Sequence, residues 1–181
     1  YSSQKEFKQS NFYLNISHFL NPKFKFNLSL LAENYYMNDS YEEAKKVLKY
    51  FNKEDDLYYW FKLKKQTQII TKETNNEKGL SFINKNFEKI NKPSLNMLFD
   101  IANLNKSFNK YQDAIDYYDE IISKIDSNSN LYAEILYRRG GSYERLGDFK
   151  NSDKDLLKSL EINPDDAYVL NYLAYSWLEL N

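Results

Sequence analysis

The sequence predicts an all-α array of stacked antiparallel helix pairs, and three observations carry that prediction. The first is a period. Ala133 to Asp166, AEILYRRGGSYERLGDFKNSDKDLLKSLEINPDD, is thirty-four residues long, and the following AYVLNYLAYSWLEL restarts its pattern. Leu136 and Leu170, Gly140 and Ala174, and Tyr143 and Trp177 each stand thirty-four apart. A fixed period of this length marks a repeat array. The second is a series of small residues, Ala44, Gly79, Ala114 and Ser152, at spacings of 35, 35 and 38. Where two helices cross closely a large side chain overpacks, at roughly 1–3 kcal/mol. The third is punctuation: Ser40-Tyr41-Glu42-Glu43 and Thr74-Asn75-Asn76-Glu77 both read as capping boxes, which close orphan N–H groups where a helix starts.

These residues resemble the tetratricopeptide repeat (TPR) family, whose pattern is W-x₂-L-G-x₂-Y…A-x₃-F…P. Leu136 stands at the Trp place, Gly140 at the Gly place and Tyr143 at the Tyr place. Ser152, Leu156 and Pro164 stand at the Ala, Phe and Pro places. Arg139 departs at the Leu place, so its stem is expected to pack while its head reaches solvent. The resemblance implies a TPR α-solenoid, a right-handed superhelix of antiparallel helix pairs.

In chain order, residues 5–22 read as a half repeat. Phe7, Ser10, Leu14 and Ser17 recur at helical spacing over Phe7 to Leu20, and Pro22 ends the run. Residues 25–56 form a repeat: Leu28, Leu31, Ala32 and Tyr35 line the first helix (Lys25 to Met37), and Tyr41, Ala44, Leu48 and Phe51 the second. Residues 57–93 are degenerate. Trp60 and Leu63 keep their places, but Lys64 and Thr67 replace Gly and Tyr, and about three extra residues are expected in the turn. Gly79, Ile83 and Phe87 continue as the second helix.

Residues 95–130 form the next repeat, with Ser94 as N-cap, Leu98, Ile101 and Ala102 on the first helix, and Asn105 in place of Tyr. Asn109 is expected to cap a second helix faced by Tyr111, Ala114, Tyr118, Ile121 and Ile122. The polar connector 126–130 leads into the repeat 131–166, and 167–181 is a half repeat. The reading is therefore one array over 1–181, with four complete pairs and a half repeat at each end. Opening at Tyr1 rather than Met, it reads as a piece of a longer protein.

Composition narrows the function. Hydrophobic residues are 42% and charged residues 28%, a globular balance that argues against disorder. A formal net charge of −1 offers no electrostatic reason for nucleic acid or an anionic membrane surface. No apolar run approaches the roughly 20 residues of a membrane span. With no Cys, disulfides, thiolate metal ligands and thiol nucleophiles are excluded.

No catalytic constellation emerges, and no cofactor or metal is expected. His18 is the only histidine and reads as a packed or partly exposed helix-end residue. Gly140-Gly141 lies inside a helical pattern, with neither the preceding strand nor the Lys of a phosphate loop. Gly140 is the small position where helices touch. Gly141, which the pattern does not require, marks a place where the groove widens or a partner approaches. Asp113, Asp116, Asp119 and Glu120 line one outer face, and Arg138, Arg139 and Arg145 read chiefly as surface ion-pair formers.

In TPR proteins the first helices line a concave groove, and their second, fifth, sixth, ninth and twelfth places point into it. Carried onto this chain, the resemblance implies a protein-binding groove of Phe61, Lys65, Phe99, Asn103, Tyr137, Arg138, Gly141, Asn171, Tyr172 and Tyr175. Ser29 and Glu33 stand where a carboxylate-gripping TPR carries Lys and Asn, so that clamp is not expected. The last fifty or so residues, NPDDAYVLNYLAYSWLE above all, are similar to long TPR proteins of Gram-negative bacteria, some of them envelope proteins. That favours the periplasm or cell envelope over the cytoplasm.

The leading expectation is a non-enzymatic scaffold or adaptor that holds a peptide or protein partner. Its rivals are a homo-oligomer assembled through terminal helices, with Leu170, Leu173 and Trp177 forming an exposed apolar edge, and a non-catalytic part of a larger envelope complex.

Overall fold

The computed structural model describes residues 6–179; the side chains of Asp56, Tyr175, Ser176, Leu178 and Glu179 lie outside that description. Among the described residues every regular element is a helix. In order they are α1 (Phe7–Leu20), α2 (Lys25–Met37), α3 (Tyr41–Leu48), α4 (Asp56–Glu73), α5 (Asn76–Phe87), α6 (Leu95–Ser107), α7 (Tyr111–Ile122), α8 (Asn130–Arg145), α9 (Phe149–Ile162) and α10 (Ala167–Glu179). The chain divides into two compact units, Tyr1–Ile90 and Asn91–Asn181.

In the first unit α2 packs on α3 and α4 on α5, while α1 lies against α2. Leu28, Leu31 and Ala32 of α2 meet Ala44, Val47 and Leu48 of α3, and Ile69 of α4 joins the same core. Phe51, placed by its spacing on the second helix, follows the end of α3 and is fully buried. It stacks on Tyr58 at 5.4 Å and meets Phe61 edge-on at 5.7 Å. Asn34, buried in α2, donates to Ser10 Oγ at 2.8 Å and Asn11 Oδ1 at 2.9 Å, which ties α1 down.

In the second unit α6 pairs with α7 and α8 with α9, α7 also packs on α8, and α10 packs on α9. Leu98, Ile101, Ala102, Ala114, Ile115, Tyr118, Ile121, Ile135, Leu136 and Leu156 are all buried. The four small positions behave as spacing implies: Ala44, Ala114 and Ser152 are fully buried, and Gly79 is buried. A Cβ on Gly140 would sit 3.1 Å from Leu156 Cγ, so bare backbone is what lets α8 approach α9.

Three of the helix pairs turn through one device. Asp39 (φ 56°), Asn109 (φ 61°) and Gly147 (φ 77°) are left-handed. The next N–H reaches back to the carbonyl five residues earlier: Ser40 to Tyr35 at 2.8 Å, Lys110 to Asn105 at 2.9 Å, and Asp148 to Tyr143 at 2.9 Å. This is a Schellman closure, which satisfies the last carbonyls of the first helix. Its acceptors are the residues at the Tyr place of each repeat.

The closure corrects several expected caps. Ser40 makes no side-chain cap, because the turn sets its ψ at 62° and its hydroxyl donates back to Asn38 O at 3.3 Å. Asn109 is the left-handed residue rather than an N-cap, and Lys110 at the cap place offers no side-chain bond. At α5 the capping acceptor is Asn75, which takes the Lys78 N–H at 2.9 Å, while Thr74 closes α4 by donating to Ile70 O at 2.6 Å. Ser94 caps α6 as expected, accepting the Met97 N–H at 3.3 Å. The extra residues of this degenerate pair lengthen α4 to 18 residues instead of its turn, which is only Thr74 and Asn75.

Two packing expectations are also corrected. The Arg139 head does not escape to solvent. Its guanidinium donates twice to Asp155, Nε to Oδ2 and Nη2 to Oδ1, both at 2.7 Å, and also to Asp119. Leu173 is not part of an exposed edge: it is 4% exposed and packs with Leu156 and Val169, whereas Leu170 and Trp177 are exposed.

Candidate functional site

In the first unit the groove residues come from α4. Phe61 is half-buried against Phe51. Lys65 is buried, and its ammonium binds Glu33 Oε2 at 2.6 Å and Gln68 Oε1 at 2.6 Å and lies 4.2 Å above the Tyr36 ring centre. A cation held between a carboxylate and an aromatic face is already satisfied, so Lys65 acts within the unit. Lys62 donates to Phe51 O at 2.9 Å and borders a recess of about 430 Å³ on the same helix; burial pulls its pKa down. His18 meets Tyr50 edge-on at 5.0 Å, as a packed helix-end residue would.

The second unit brings most of its groove residues into a strip across α6, α8 and α10, as two groups that adjoin at the consecutive residues Tyr137 and Arg138. The Arg138 guanidinium lies 4.8 Å from the Phe99 ring centre. It donates to Asn103 Oδ1 at 3.2 Å and, from Nε and Nη2, to Glu134 Oε1 at 3.0 and 2.8 Å. The Tyr118 hydroxyl donates to the same Asn103 oxygen at 2.7 Å, and burial pushes its pKa up to about 12. Tyr137 and Tyr172 meet edge-on at 6.1 Å. Tyr172 donates to Glu144 Oε2 at 2.8 Å; burial, then that bond, raises its pKa.

Gly141 is buried, and its missing side chain is filled from within the fold. A Cβ there would stand 3.0 Å from Lys106 Nζ and 3.3 Å from the Tyr172 hydroxyl. Lys106 donates to Arg138 O at 3.1 Å. Burial, then the nearby Arg138 and Arg145 charges, lower its pKa to about 8, with Glu144 opposing. The expected approach of a partner at Gly141 is therefore replaced by an internal contact. Asn171 is exposed on α10 and apart from the strip's bonds, and the Tyr175 side chain lies outside the described residues.

Beside the strip is a recess of about 460 Å³ lined by Glu134, Tyr137, Arg138, Asn163, Asp166 and Tyr168. Four of these six were not among the groove residues expected from the sequence. Glu134 and Tyr168 occupy the second place of successive repeats, thirty-four apart, and Lys106 and Glu144 occupy the twelfth. Carrying those two places over, along with the fifth, sixth and ninth, finds them. Asn163 and Asp166 come from the interhelical turn, which no first-helix pattern includes.

Among the described residues no group of three or more His, Cys, Asp or Glu side chains is placed to hold a metal ion. No helix among them is long and apolar enough to cross a membrane.

Residues 133–166 match the family model for the tetratricopeptide repeat. The architecture is that of TPR structures, and residues 133–166 carry one tetratricopeptide repeat. It superposes on the crystal structure of YrrB, described as a TPR protein with an unusual peptide-binding site, with TM-score 0.61 at 14% identity over 96% of this chain and 86% of that one. It is similar to MamA (TM-score 0.57, 18% identity, 92% of this chain and 88% of that one). The C-terminal part of a TPR repeat-containing protein from Cytophaga hutchinsonii is a third such structure, at TM-score 0.57 and 14% identity, over 92% of this chain and 64% of that one. No curated protein sequence matches this chain.

Proposed function

We propose that the chain is a protein-binding scaffold that holds a peptide or partner protein along the first helices of its repeats. One observation carries this reading. Arg138 binds Asn103 and rests on Phe99, Tyr137 meets Tyr172, and these two groups, from three separate helices, adjoin at the consecutive residues Tyr137 and Arg138 beside a recess of about 460 Å³. Side chains locked by packing and mutual bonds lose little freedom on binding, and Tyr and Arg dominate interface energetics. The similarity to YrrB, whose structure is described by its peptide-binding site, supports the same use of the fold.

The test is capture of a partner by the intact chain, followed by calorimetry. Phe99→Ala and Arg138→Ala should each weaken the complex at least tenfold. Unchanged binding in both, with the fold intact by circular dichroism, sinks the proposal.

A second reading, self-association, has its own observation. Phe12, Phe19 and Leu20 of α1 are 61%, 83% and 75% exposed, followed by exposed Phe24 and Phe26. Light scattering separates the readings: a concentration-dependent dimer lost in Phe19→Ser/Leu20→Ser supports assembly, and a monomer at all concentrations removes it.

A further inference from the structure

We propose that the recess between α8 and the start of α10 receives an arginine side chain of the bound peptide; this rests on the scaffold reading above and specifies its ligand. Six side chains line the recess: Glu134, Tyr137 and Arg138 from α8, Asn163 and Asp166 from the turn after α9, and Tyr168 from α10. Its one cation is already engaged. Arg138 rests on Phe99 and binds Asn103 and one oxygen of Glu134, Oε1. Asp166 likewise uses one oxygen: Oδ1 accepts the N–H groups of Tyr168 at 3.0 Å and Val169 at 3.3 Å. That cap offsets the positive end of α10, which would otherwise favour an anion.

The second oxygens, Glu134 Oε2 and Asp166 Oδ2, make no hydrogen bond among the described residues, and both residues line the recess. Tyr168, 78% exposed, and Tyr137 supply aromatic surface. Two carboxylates with spare acceptors, an amide and two phenol rings complement a planar guanidinium, which bonds through its edge and stacks through its face. An acidic side chain would meet two like charges there, and an aliphatic one would leave both acceptors unpaired.

The probe is acetyl-Ala-Ala-Arg-Ala-Ala-amide, titrated into the isotope-labelled chain and followed by amide chemical shifts. Controls carry citrulline, which keeps the shape and loses the charge, or Glu at the central position. Saturable shifts should centre on Glu134, Tyr137, Asn163 and Tyr168. The citrulline peptide should bind about fivefold more weakly, the scale of a part-exposed charge contact. Asp166→Asn, which keeps the cap, and Tyr168→Ser should each weaken the arginine peptide about threefold or more on the same grounds. Equal affinity for the citrulline or Glu peptide, shifts centred elsewhere, or no saturable shift overturns the inference. If partner capture still depends on Phe99 and Arg138 while the arginine peptide fails, only this inference falls. Partner binding that ignores Phe99 and Arg138 removes the scaffold reading instead.

Discussion

Arg139 and Asp155 form a two-pronged ion pair, with Nε to Oδ2 and Nη2 to Oδ1 both at 2.7 Å, and the Asp155 side chain is only 5% exposed. Arg139 stands where the repeat pattern has Leu. A hydrophobic contact between α8 and α9 has been exchanged for a buried charge pair, with Asp119 of α7 as a third member. Such a pair is costly to break and cheap to replace. Asp155→Ala should therefore destabilise the second unit by about 3–5 kcal/mol, because it leaves the guanidinium half-satisfied. Arg139→Leu/Asp155→Leu should recover most of that loss. Urea denaturation of the two variants and wild type measures both effects.

Stability should rise with pH between about 8 and 10. Lys106 has a folded pKa of about 8, below its ordinary 10.5. Across that interval the unfolded chain binds more protons than the folded one, so stability increases with pH. Below about pH 8 both states are charged and the burial penalty is constant. Above about 10 the trend reverses, because Tyr118 and Tyr172 are held above their ordinary value and must stay protonated in the fold. Lys106→Met should flatten the rise between pH 8 and 10 and raise stability at pH 7. Urea midpoints across pH 7–11 test this; an unchanged slope in the variant contradicts it.

The glycines should respond differently to alanine. At Gly79 a Cβ would fall 2.0 Å from Thr71 Oγ1 and 3.2 Å from the Thr67 backbone carbonyl. Gly79→Ala should cost about 1–2 kcal/mol net, overpacking exceeding the roughly 1 kcal/mol that alanine gains in a helix. At Gly141 the nearest atom is the far end of the Lys106 chain, at 3.0 Å, which can move aside. Gly141→Ala should be within about 1 kcal/mol of neutral. Thermal melts of the two variants compare them directly.

Asn109 holds φ at 61° and accepts the Tyr111 hydroxyl at 2.7 Å. Asp39 and Tyr41 make the same bond at 2.7 Å. Asn109→Ala should cost about 1–2 kcal/mol, combining the left-handed strain with the lost bond. Asn109→Gly should cost less than Asn109→Ala, since glycine takes that conformation freely and loses only the bond. Equal stability of the two variants in denaturation would show that the turn is not under this constraint.

Much of the scaffold was legible because it depends on spacing. Phe7 to Leu20 and Lys25 to Met37 are helices with the bounds their apolar period implies. The small residues fall at buried crossings because contact between helices leaves no room for anything larger. Local chemistry misled where two local solutions competed. Ser40 and Asn109 carry good capping side chains, but the Schellman closure uses the backbone there and turns the side chains to other work. Thr74 lost its cap to Asn75 by one position.

The candidate site was legible only in outline. The repeat register put Phe99, Asn103, Tyr137 and Arg138 among the groove residues of first helices, and the structure brings Arg138 onto Phe99 and Asn103. It could not show that Lys65 is consumed by Glu33 and Tyr36, or that Gly141 is filled by Lys106 and Tyr172, because those partners lie on other helices.

By itself the sequence determined the helices, their pairing rule and which faces turn inward, since all three follow from a repeated pattern of size and polarity along the chain. Only the tertiary structure decided which charges are spent on the fold and which carboxylate oxygens are left without a hydrogen bond. Ion pairing depends on distances of a few ångströms between residues far apart in sequence, as between Arg139 and Asp155, and no period along the chain encodes them.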